Sequence, residues 1–581
     1  MPKTAPLTEP AMLLYQRGKL GARELEQVRR RQERLGVPQH RAIVDLNYAT
    51  EEDTWRVLAE IHNVEFVELS TRPPAEEALK AVPVKFVFHY HMVPCALDGE
   101  QLTIAFSELP RPMELGNLRL LLSKRIKIAL ATPSSIHAYL KGKFGLGAET
   151  IQKLREDRTL ADGSDEVVFD VTAGDDGSAV DATIARFVDQ ILVEALRLSA
   201  TDIHLEPYYS SIQLRYRIDG IMHNVPVPEG VRALHGAIVS RLKIMGGLNI
   251  AEKRLPHDGR IAMKTGGEDY DLRVSIIPTK HGETVCLRIL GRQSLFLDLG
   301  QLGMEPAHER LFAEITKLPQ GLVLITGPTG SGKTTTLYAA LAHANDATRK
   351  IITIEDPVEY QLEGVSQIQV REDIGLGFAN GLRSVLRHDP DVVLIGEIRD
   401  NTTAEIAIRT AQTGHLVFST LHTNDSISAV TRLIDMKIEP FLVGSSLVCS
   451  VAQRLTQRIC LHCRQPDHAI PVELRREMAA ALGLPEAEVL AFKGAGCVEC
   501  GQRGYRGRVA IYEFFLMTDE IGDLIEPGVR TGALRRKARE EGWRSLREYA
   551  WTKVQAGLIP ITEQQRLTRQ LNLQDWIKAN G

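Results

Sequence analysis

The most informative absence in this 581-residue chain is that of a long apolar segment. No window approaches the roughly 18 apolar residues that a helix needs to cross a bilayer. The first residues, MPKTAPLTEPAMLLYQRGK, also lack the basic stretch and sustained apolar core that typify a secretory signal. We therefore expect a cytoplasmic protein with no segment inserted directly in a membrane.

A strong excess of charge and a high cysteine content are absent as well. The 70 basic and 74 acidic residues give a formal net charge of -4, which provides no overall attraction to nucleic acid. Seven cysteines in so long a chain do not indicate a secreted disulfide scaffold. With 44% hydrophobic and 25% charged residues, the composition is that of a globular protein of several domains.

Changes in residue pattern divide the chain into five parts. Residues 1–60 predict short helices, and residues 61–145 mix strand-like and helical pieces typical of a compact α/β domain. The Asp-, Gly- and Ser-rich segment 146–181 is interpreted as a flexible acidic linker. Residues 182–292 predict an α+β domain, and residues 293–581 form the largest part.

A phosphate-binding loop lies near the start of the largest part. The apolar run GLVLIT is followed at once by GPTGSGKT, which satisfies the pattern G-x-x-x-x-G-K-[ST] between a predicted strand and helix. Such glycines let consecutive N–H groups surround phosphates, while Lys333 brings a positive charge and the Thr334 hydroxyl ligates Mg²⁺. We predict that ATP and Mg²⁺ bind through Gly327, Pro328, Thr329, Gly330, Ser331, Gly332, Lys333, Thr334 and Thr335.

Three further apolar runs predict that the loop belongs to a doubly wound parallel sheet. They span 351–354, 392–395 and 416–419 and alternate with helical sequence. The carboxyl ends of parallel strands line the ligand crevice of such a sheet. Glu397 ends the second run, where a carboxylate is fixed without being fully desolvated, and we predict that it polarises the attacking water.

Other polar residues at these strand ends each have two interpretations. Glu355 and Glu359 follow the first run and either order water and the Mg²⁺ shell or are acids of the kind that helix and turn N-termini attract. His422 follows the third run and is interpreted as a sensor of the γ-phosphate, against the alternative of an ordinary hydrogen-bonded histidine. His415, at the start of that run, is open between the same alternatives.

Two C-x-x-C pairs separated by 33 residues indicate a metal site. Tetrahedral Zn²⁺ prefers four soft ligands, and each C-x-x-C turn supplies two thiolates. The alternative is a redox pair, but two matched pairs favour structural zinc. We predict a zinc-binding insertion at about 458–502, ligated by Cys460, Cys463, Cys497 and Cys500.

Four segments resemble the Walker A, Asp box, Walker B and His box of the secretion ATPase superfamily, in that family's order and spacing. They are GPTGSGKTTT, ITIEDPVEY, HDPDVVLIGEIRD and AQTGHLVFSTLHTND. The segments TDIHLEP, RYRIDG, IAEKRLPHDGR and EGWRSLREYAWTKVQAGLIPITEQQ extend the resemblance over about 185–570. It implies an α/β multidomain protein, with N-terminal docking domains, a PAS-like α+β domain, a RecA-like P-loop core carrying the zinc insertion, and a C-terminal helical part.

The same resemblance implies a homo-hexamer that hydrolyses ATP in the cytoplasm. Such ATPases associate peripherally with the inner membrane through a platform protein and a cytoplasmic adaptor. The function we predict is to drive pseudopilus or pilus assembly and protein secretion in a type II secretion system, with type IV pilus assembly as the alternative. The N-terminal extension and the cysteines favour these over pilus retraction. A RecA-like nucleic-acid motor is a remote alternative, because no basic and aromatic run supplies a channel for nucleic acid.

The resemblance also implies functional arginines. In this family, arginines of the domain before the core reach the nucleotide, and the matching residues are Arg273 in YDLRVS and Arg288 in VCLRIL. Closure of a small domain can deliver such cations to the transferred phosphate, although arginines on an exposed strand can also serve solubility alone. Arg383 and Arg387 are candidates for interface or nucleotide contacts.

Overall fold

The computed structural model describes residues 9–151, 177–291 and 298–568. Within these ranges the strands form sheets of four, six and seven strands and a small sheet of two. Each of the three larger sheets has its own hydrophobic core. The predicted fold class, an α/β protein of several domains, is therefore confirmed.

The N-terminal residues form a small helical bundle. Its helices are α1 Pro10–Gln16, α2 Ala22–Leu35, α3 Gln39–Asp45 and α4 Glu51–Ile61. Leu14 and Ile43 are buried between these helices. The indole N–H of Trp55 on α4 donates a hydrogen bond of 2.7 Å to the backbone oxygen of Ser107, which fastens the bundle to the next domain.

The second domain is a four-stranded sheet with flanking helices, in the order β1-β4-β3-β2. Its strands are β1 Glu65–Phe66, β2 Met92–Asp98, β3 Gln101–Phe106 and β4 Arg125–Leu130. Its helices are α5 Glu76–Lys80, α6 Val84–His89, α7 Pro112–Leu122 and α8 Pro133–Phe144. Five consecutive residues of β3 are buried, as in a strand that is covered on both faces.

The segment predicted to be a flexible linker is packed at both of its described ends. Leu146 donates a backbone hydrogen bond of 2.8 Å to Pro226, and Leu146 and Ile151 belong to the core of the following domain. A helix already begins at Gly177. The prediction is therefore wrong at these ends, because apolar residues there reach a core that lies farther along the chain, while residues 152–176 lie outside the described residues.

An antiparallel six-stranded sheet forms the domain before the core, in the order β7-β6-β5-β10-β9-β8. Its strands are β5 Ala200–Pro207, β6 Ile212–Ile218, β7 Ile221–Val225, β8 His257–Thr265, β9 Glu268–Thr279 and β10 Gly282–Gly291. The helices α9 Gly177–Arg197 and α10 Val231–Met245 pack on one face. Buried and less buried residues alternate along β6, so the sheet presents polar side chains on its other face.

The largest domain is built on a seven-stranded sheet with the order β13-β12-β14-β15-β11-β16-β19, in which only the β16–β19 pair is antiparallel. Its strands are β11 Gly321–Thr326, β12 Ile351–Glu355, β13 Val365–Gln369, β14 Val392–Ile395, β15 Leu416–Leu421, β16 Leu447–Ile459 and β19 Tyr505–Leu516. Its helices are α11 Pro306–Ile315, α12 Lys333–Ala344, α13 Phe378–Val385, α14 Asn401–Gln412, α15 Ser428–Asp435 and α16 Pro440–Ser446. The four central strands are wholly buried between two hydrophobic cores, as doubly wound sheets require.

The cysteine-bearing insertion and the C-terminal helices pack against each other. The insertion contains β17 Arg464–Pro466, α17 Val472–Leu482 and β18 Phe492–Gly494, and the C-terminal helices are α18 Asp519–Gly522, α19 Thr531–Glu540, α20 Leu546–Gln555 and α21 Ile561–Thr568. Glu477 on α17 accepts hydrogen bonds from Arg547 (2.7 Å) and Trp551 (3.1 Å) on α20. Across the described ranges, no helix combines the length and apolarity that crossing a bilayer requires.

Candidate functional site

The phosphate-binding loop connects β11 to α12 and lies tightly against the neighbouring strand β16. Gly327 has φ +143°, and a Cβ atom there would lie 2.5 Å from the backbone oxygen of Gln453. Gly332 has φ +88°, and a Cβ atom there would lie 2.8 Å from the Gln453 amide nitrogen. Only glycine fits this backbone at the two positions.

Lys333 folds back over the loop that precedes it. Its Nζ donates hydrogen bonds to the backbone oxygens of Gly327 (2.8 Å) and Pro328 (3.1 Å). Burial lowers the pKa of Lys333, the Glu397 carboxylate raises it, and Arg454 lowers it further. Lys333 and Glu397 are thus close enough for their charges to interact.

Three hydroxyl groups in the loop and in the elements beside it are candidates for contacts with a bound nucleotide and its metal ion. Thr334 is exposed at the first turn of α12. In the described part of the chain, the buried hydroxyls of Thr326 and Ser331 have no hydrogen-bond partner. Because a buried hydroxyl without a partner is costly, the loop is suited to a polar ligand that supplies one.

Glu397 and His422, predicted from separate strands, lie together at the carboxyl edge of the sheet. The Glu397 Oε2 atom is 3.4 Å from His422 Nε2, and the side chain of Glu397 is 15% exposed. Arg399, two residues farther along the chain, forms an ion pair with Glu397. The geometry gives a partly shielded carboxylate, held from two sides, that still meets solvent.

Glu355 and Glu359 have different surroundings, although both follow the same strand. Glu355 is buried and accepts hydrogen bonds from Tyr338 (2.5 Å), Thr353 (2.6 Å) and Gln367 (3.1 Å). Three donors from the chain itself favour its interpretation as an acid that holds the structure together. Glu359 instead faces the preceding domain, where it forms an ion pair with Arg273.

Arg273 and Arg288 each contact a carboxylate rather than the phosphate loop. The Arg273 Nη2 atom lies 3.2 Å from Glu359 Oε2, and the Arg288 Nε atom lies 3.1 Å from Asp202 Oδ1. Both arginines line a cleft of about 500 Å³ between the six-stranded sheet and Pro357. Arg273 therefore joins the preceding domain to the edge of the nucleotide-binding core.

Three other residues that the sequence suggested lie away from the pair formed by Glu397 and His422. His415 is at the amino end of β15, and its Nδ1 atom is 3.0 Å from the backbone oxygen of Thr410, which favours an ordinary hydrogen-bonded histidine. Arg383 is exposed and donates to Asn380 (3.2 Å). Arg387 donates to the backbone oxygen of Arg383 (2.9 Å), so neither guanidinium points to a group of the phosphate loop.

Two residues of β16 that were not predicted from the sequence border the phosphate loop. The Gln453 Oε1 atom accepts a hydrogen bond of 2.8 Å from Thr336 on α12. Arg454 lies near Lys333, and burial lowers the pKa of its guanidinium. The Gln453-Arg454 pair is a weak signal, because the same strand carries a second Gln-Arg pair at Gln457 and Arg458.

The four predicted cysteine ligands form one compact cluster. The sulfurs of Cys460 and Cys497 are 3.8 Å apart, those of Cys463 and Cys500 are 3.9 Å apart, and all four lie within 4.8 Å of one another. A tetrahedron with zinc–sulfur distances of about 2.3 Å has edges of about 3.8 Å. The cluster therefore has the donor set and the size that a structural zinc ion requires.

Two family models match the chain. The type II/IV secretion system protein model matches residues 178–566, and the MshEN domain model matches residues 62–148. Type II secretion system protein E of Pseudomonas aeruginosa is 47% identical over 391 residues, covering 67% of this chain and 76% of the relative. Type II secretion system protein E of Xanthomonas campestris pv. campestris is 36% identical over 559 residues, covering 96% and 97%.

A pilus protein and a solved motor structure are similar as well. The type IV pilus assembly ATPase PilB of Myxococcus xanthus is 38% identical over 559 residues, covering 95% of this chain and 97% of the relative. The crystal structure of the pilus retraction motor PilT with bound ADP is 26% identical, covers 66% of this chain and 97% of that chain, and has a TM-score of 0.44.

Proposed function

Because the chain belongs to the type II/IV secretion system protein family, we propose that it is the ATPase that drives a type II secretion system. ATP hydrolysis is the activity of this family's motor core. The further proposal is that the chain works as a homo-hexamer in the cytoplasm and acts on the inner-membrane platform protein of a secretion machine. Its N-terminal domains would dock to a cytoplasmic adaptor of that machine.

The observation that carries the ATPase function is the convergence of Lys333, Glu397 and His422 on one edge of the central sheet. The loop N–H groups bind phosphate oxygens, and the Lys333 ammonium exchanges its two backbone carbonyls for the oxygens of the β and γ phosphates. The Thr334 hydroxyl would hold Mg²⁺, which would supply positive charge to the phosphates.

Glu397 is placed to act on the attacking water. Its carboxylate accepts a proton from that water and orients it, while the pairing with Arg399 and His422 fixes the carboxylate. His422 is half-exposed, so its ring can exchange the Glu397 oxygen for an oxygen of the γ-phosphate. Arg273 and Arg288 reach the phosphates when the cleft closes, at which point they leave their carboxylate partners.

The cysteine cluster supports a role in secretion or assembly. Zn²⁺ bound by the four thiolates would fix the insertion, and α17 of the insertion is hydrogen-bonded to the C-terminal helix α20. Bound zinc would thereby stabilise the contact between the insertion and the C-terminal helices.

Type IV pilus assembly is the second candidate, because the similarity to PilB extends over 95% of the chain, as the similarity to the Xanthomonas type II secretion protein does over 96%. Deletion of the gene in its host tests the two functions directly. Loss of exoproteins from the culture medium with unchanged surface pili supports type II secretion, whereas loss of pili with unchanged exoproteins supports pilus assembly. A deletion that changes neither, after expression of the chain has been verified, contradicts both.

A further inference from the structure

A row of arginines crosses the outer face of the six-stranded sheet. Arg260 on β8 and Arg288 on β10 both lie directly opposite Arg273 on the intervening strand β9. The neighbouring residues Leu272 and Val274 are buried in the core, so the three arginines extend from the opposite face. Like charges directly opposite each other destabilise a sheet, and folding alone therefore does not favour this row.

The three guanidiniums differ in their partners within the chain. Arg273 pairs with Glu359, and Arg288 pairs with Asp202, which Arg217 also approaches at 3.5 Å. For Arg260, in contrast, no ion pair or hydrogen bond of its side chain is present within residues 9–151, 177–291 and 298–568. Arg260 is thus the member of the row whose charge remains available to a ligand.

The cleft in front of the row has a suitable size and position for an anionic ligand. Arg260, Arg273 and Arg288 all line it, and its volume of about 500 Å³ is within the range of small-molecule sites. Its opposite wall contains Pro357, which lies two residues before Glu359. Asp258 also lines the cleft, but it forms no ion pair with Arg260. The three arginines therefore outnumber the carboxylate on the sheet wall of the cleft.

We propose that Arg260 is a third phosphate-binding arginine, which contacts the phosphate oxygens of bound ATP together with Arg273 and Arg288. The proposal rests on the proposed ATPase function for the identity of the anion. Neighbouring strands are about 5 Å apart, so the three side chains leave the sheet in one row, and each guanidinium is a planar fork that matches phosphate oxygens. Because Arg260 has no carboxylate to leave, its contribution is to capture the nucleotide before the other two arginines change partners.

The test compares Arg260→Ala with a control that removes a positive charge elsewhere on the same strand. Lys264 lies on the same face of β8, and its ammonium is 3.7 Å from Asp269. Steady-state ATPase activity and the affinity for a non-hydrolysable ATP analogue are measured with the full-length protein. We expect Arg260→Ala to lower kcat/KM about 10- to 100-fold, mainly through a higher KM, and Lys264→Ala to change it less than about twofold.

Two further measurements separate phosphate binding from a structural role. The KM of the wild type should rise more steeply with salt than that of Arg260→Ala, because salt screens the attraction that the variant lacks. Arg260→Lys, which keeps the charge but loses the fork, should recover part of the affinity. Unchanged KM and analogue affinity in a folded Arg260→Ala variant, or equal losses in Arg260→Ala and Lys264→Ala, would overturn the inference.

Failure of the proposed function gives a different result. If the wild type binds the analogue but does not hydrolyse ATP, the ATPase function fails, while the analogue affinities still test Arg260. If Arg260→Ala does not fold, the comparison of Arg260→Lys with the wild type decides, and equal affinities overturn the inference.

Discussion

Replacement of Glu397 by glutamine tests whether this carboxylate acts on water. Glutamine has the same size but neither the negative charge nor the basicity of glutamate. The side chain is 15% exposed, pairs with Arg399 and lies 3.4 Å from His422 Nε2. The Arg399 side chain is 61% exposed, so loss of this pair should cost little stability. The substitution therefore changes the chemistry of the site more than its structure.

The expected loss is in kcat. A positioned general base contributes roughly 10²- to 10⁴-fold, which corresponds to about 3 to 5 kcal/mol of transition-state stabilisation. ATP binding should remain, because Lys333 and the loop glycines are held by backbone groups rather than by Glu397. We thus expect kcat to fall at least 100-fold while the affinity for ATP changes only a few-fold.

The assay measures phosphate release together with the binding of a fluorescent ATP analogue. Glu405→Gln is the matched control, because Glu405 is an exposed glutamate on α14 whose partner is Arg409. The control should retain full activity. If Glu397→Gln keeps kcat within about threefold of the wild type, the assignment of Glu397 as the base is refuted.

Three more substitutions test the phosphate loop, the cysteine cluster and a buried glutamate of the core domain. Lys333→Ala should abolish binding of the fluorescent analogue at concentrations that saturate the wild type, because the phosphates lose their cation; undiminished binding would contradict this role. Cys463→Ser should release one zinc ion per chain, measured by metal analysis, and lower the melting temperature, and a wild type without zinc would contradict the site. Glu513 accepts hydrogen bonds from Ser426 and Leu546, and burial raises its pKa. Because the folded pKa is raised, this group lowers stability as pH rises above about 4.5. Glu513→Gln should remove that pH dependence yet destabilise the protein by about 1 to 3 kcal/mol through the lost acceptor, and identical pH profiles in thermal unfolding would contradict the assignment.

The sequence predicts best those parts of the site whose residues are close to one another in the chain. The run GLVLIT and the glycines after it define a strand, a loop and a helix start without any distant contact. Glu397 and His422 follow equally clear apolar runs, and parallel strands bring their carboxyl ends to one edge. The family membership predicted from these segments is confirmed by the family match over residues 178–566.

Other residues depend on contacts between distant parts of the chain. Glu355 is held by Tyr338 on the preceding helix and Gln367 on the edge strand, so sequence alone left it open between two roles. Gln453 and Arg454 lie on β16. This strand pairs with β11, which precedes the phosphate loop, although it follows β11 by more than 100 residues in the chain. Their importance follows from the sheet order, which the local pattern does not specify.

Under the proposed function, the charges of the site predict that nucleotide binding is coupled to movement of the preceding domain. Lys333 is held by two backbone carbonyls, whereas Arg273 and Arg288 are held by carboxylates. Phosphate oxygens compete for all three cations, and each new contact replaces an old one rather than adding to it. The proposed exchange at Arg273 would separate it from Glu359 and would change the contact between the six-stranded sheet and the core. The proposed exchange of ion pairs would thus let bound phosphate favour one domain arrangement over another, which is what a motor requires.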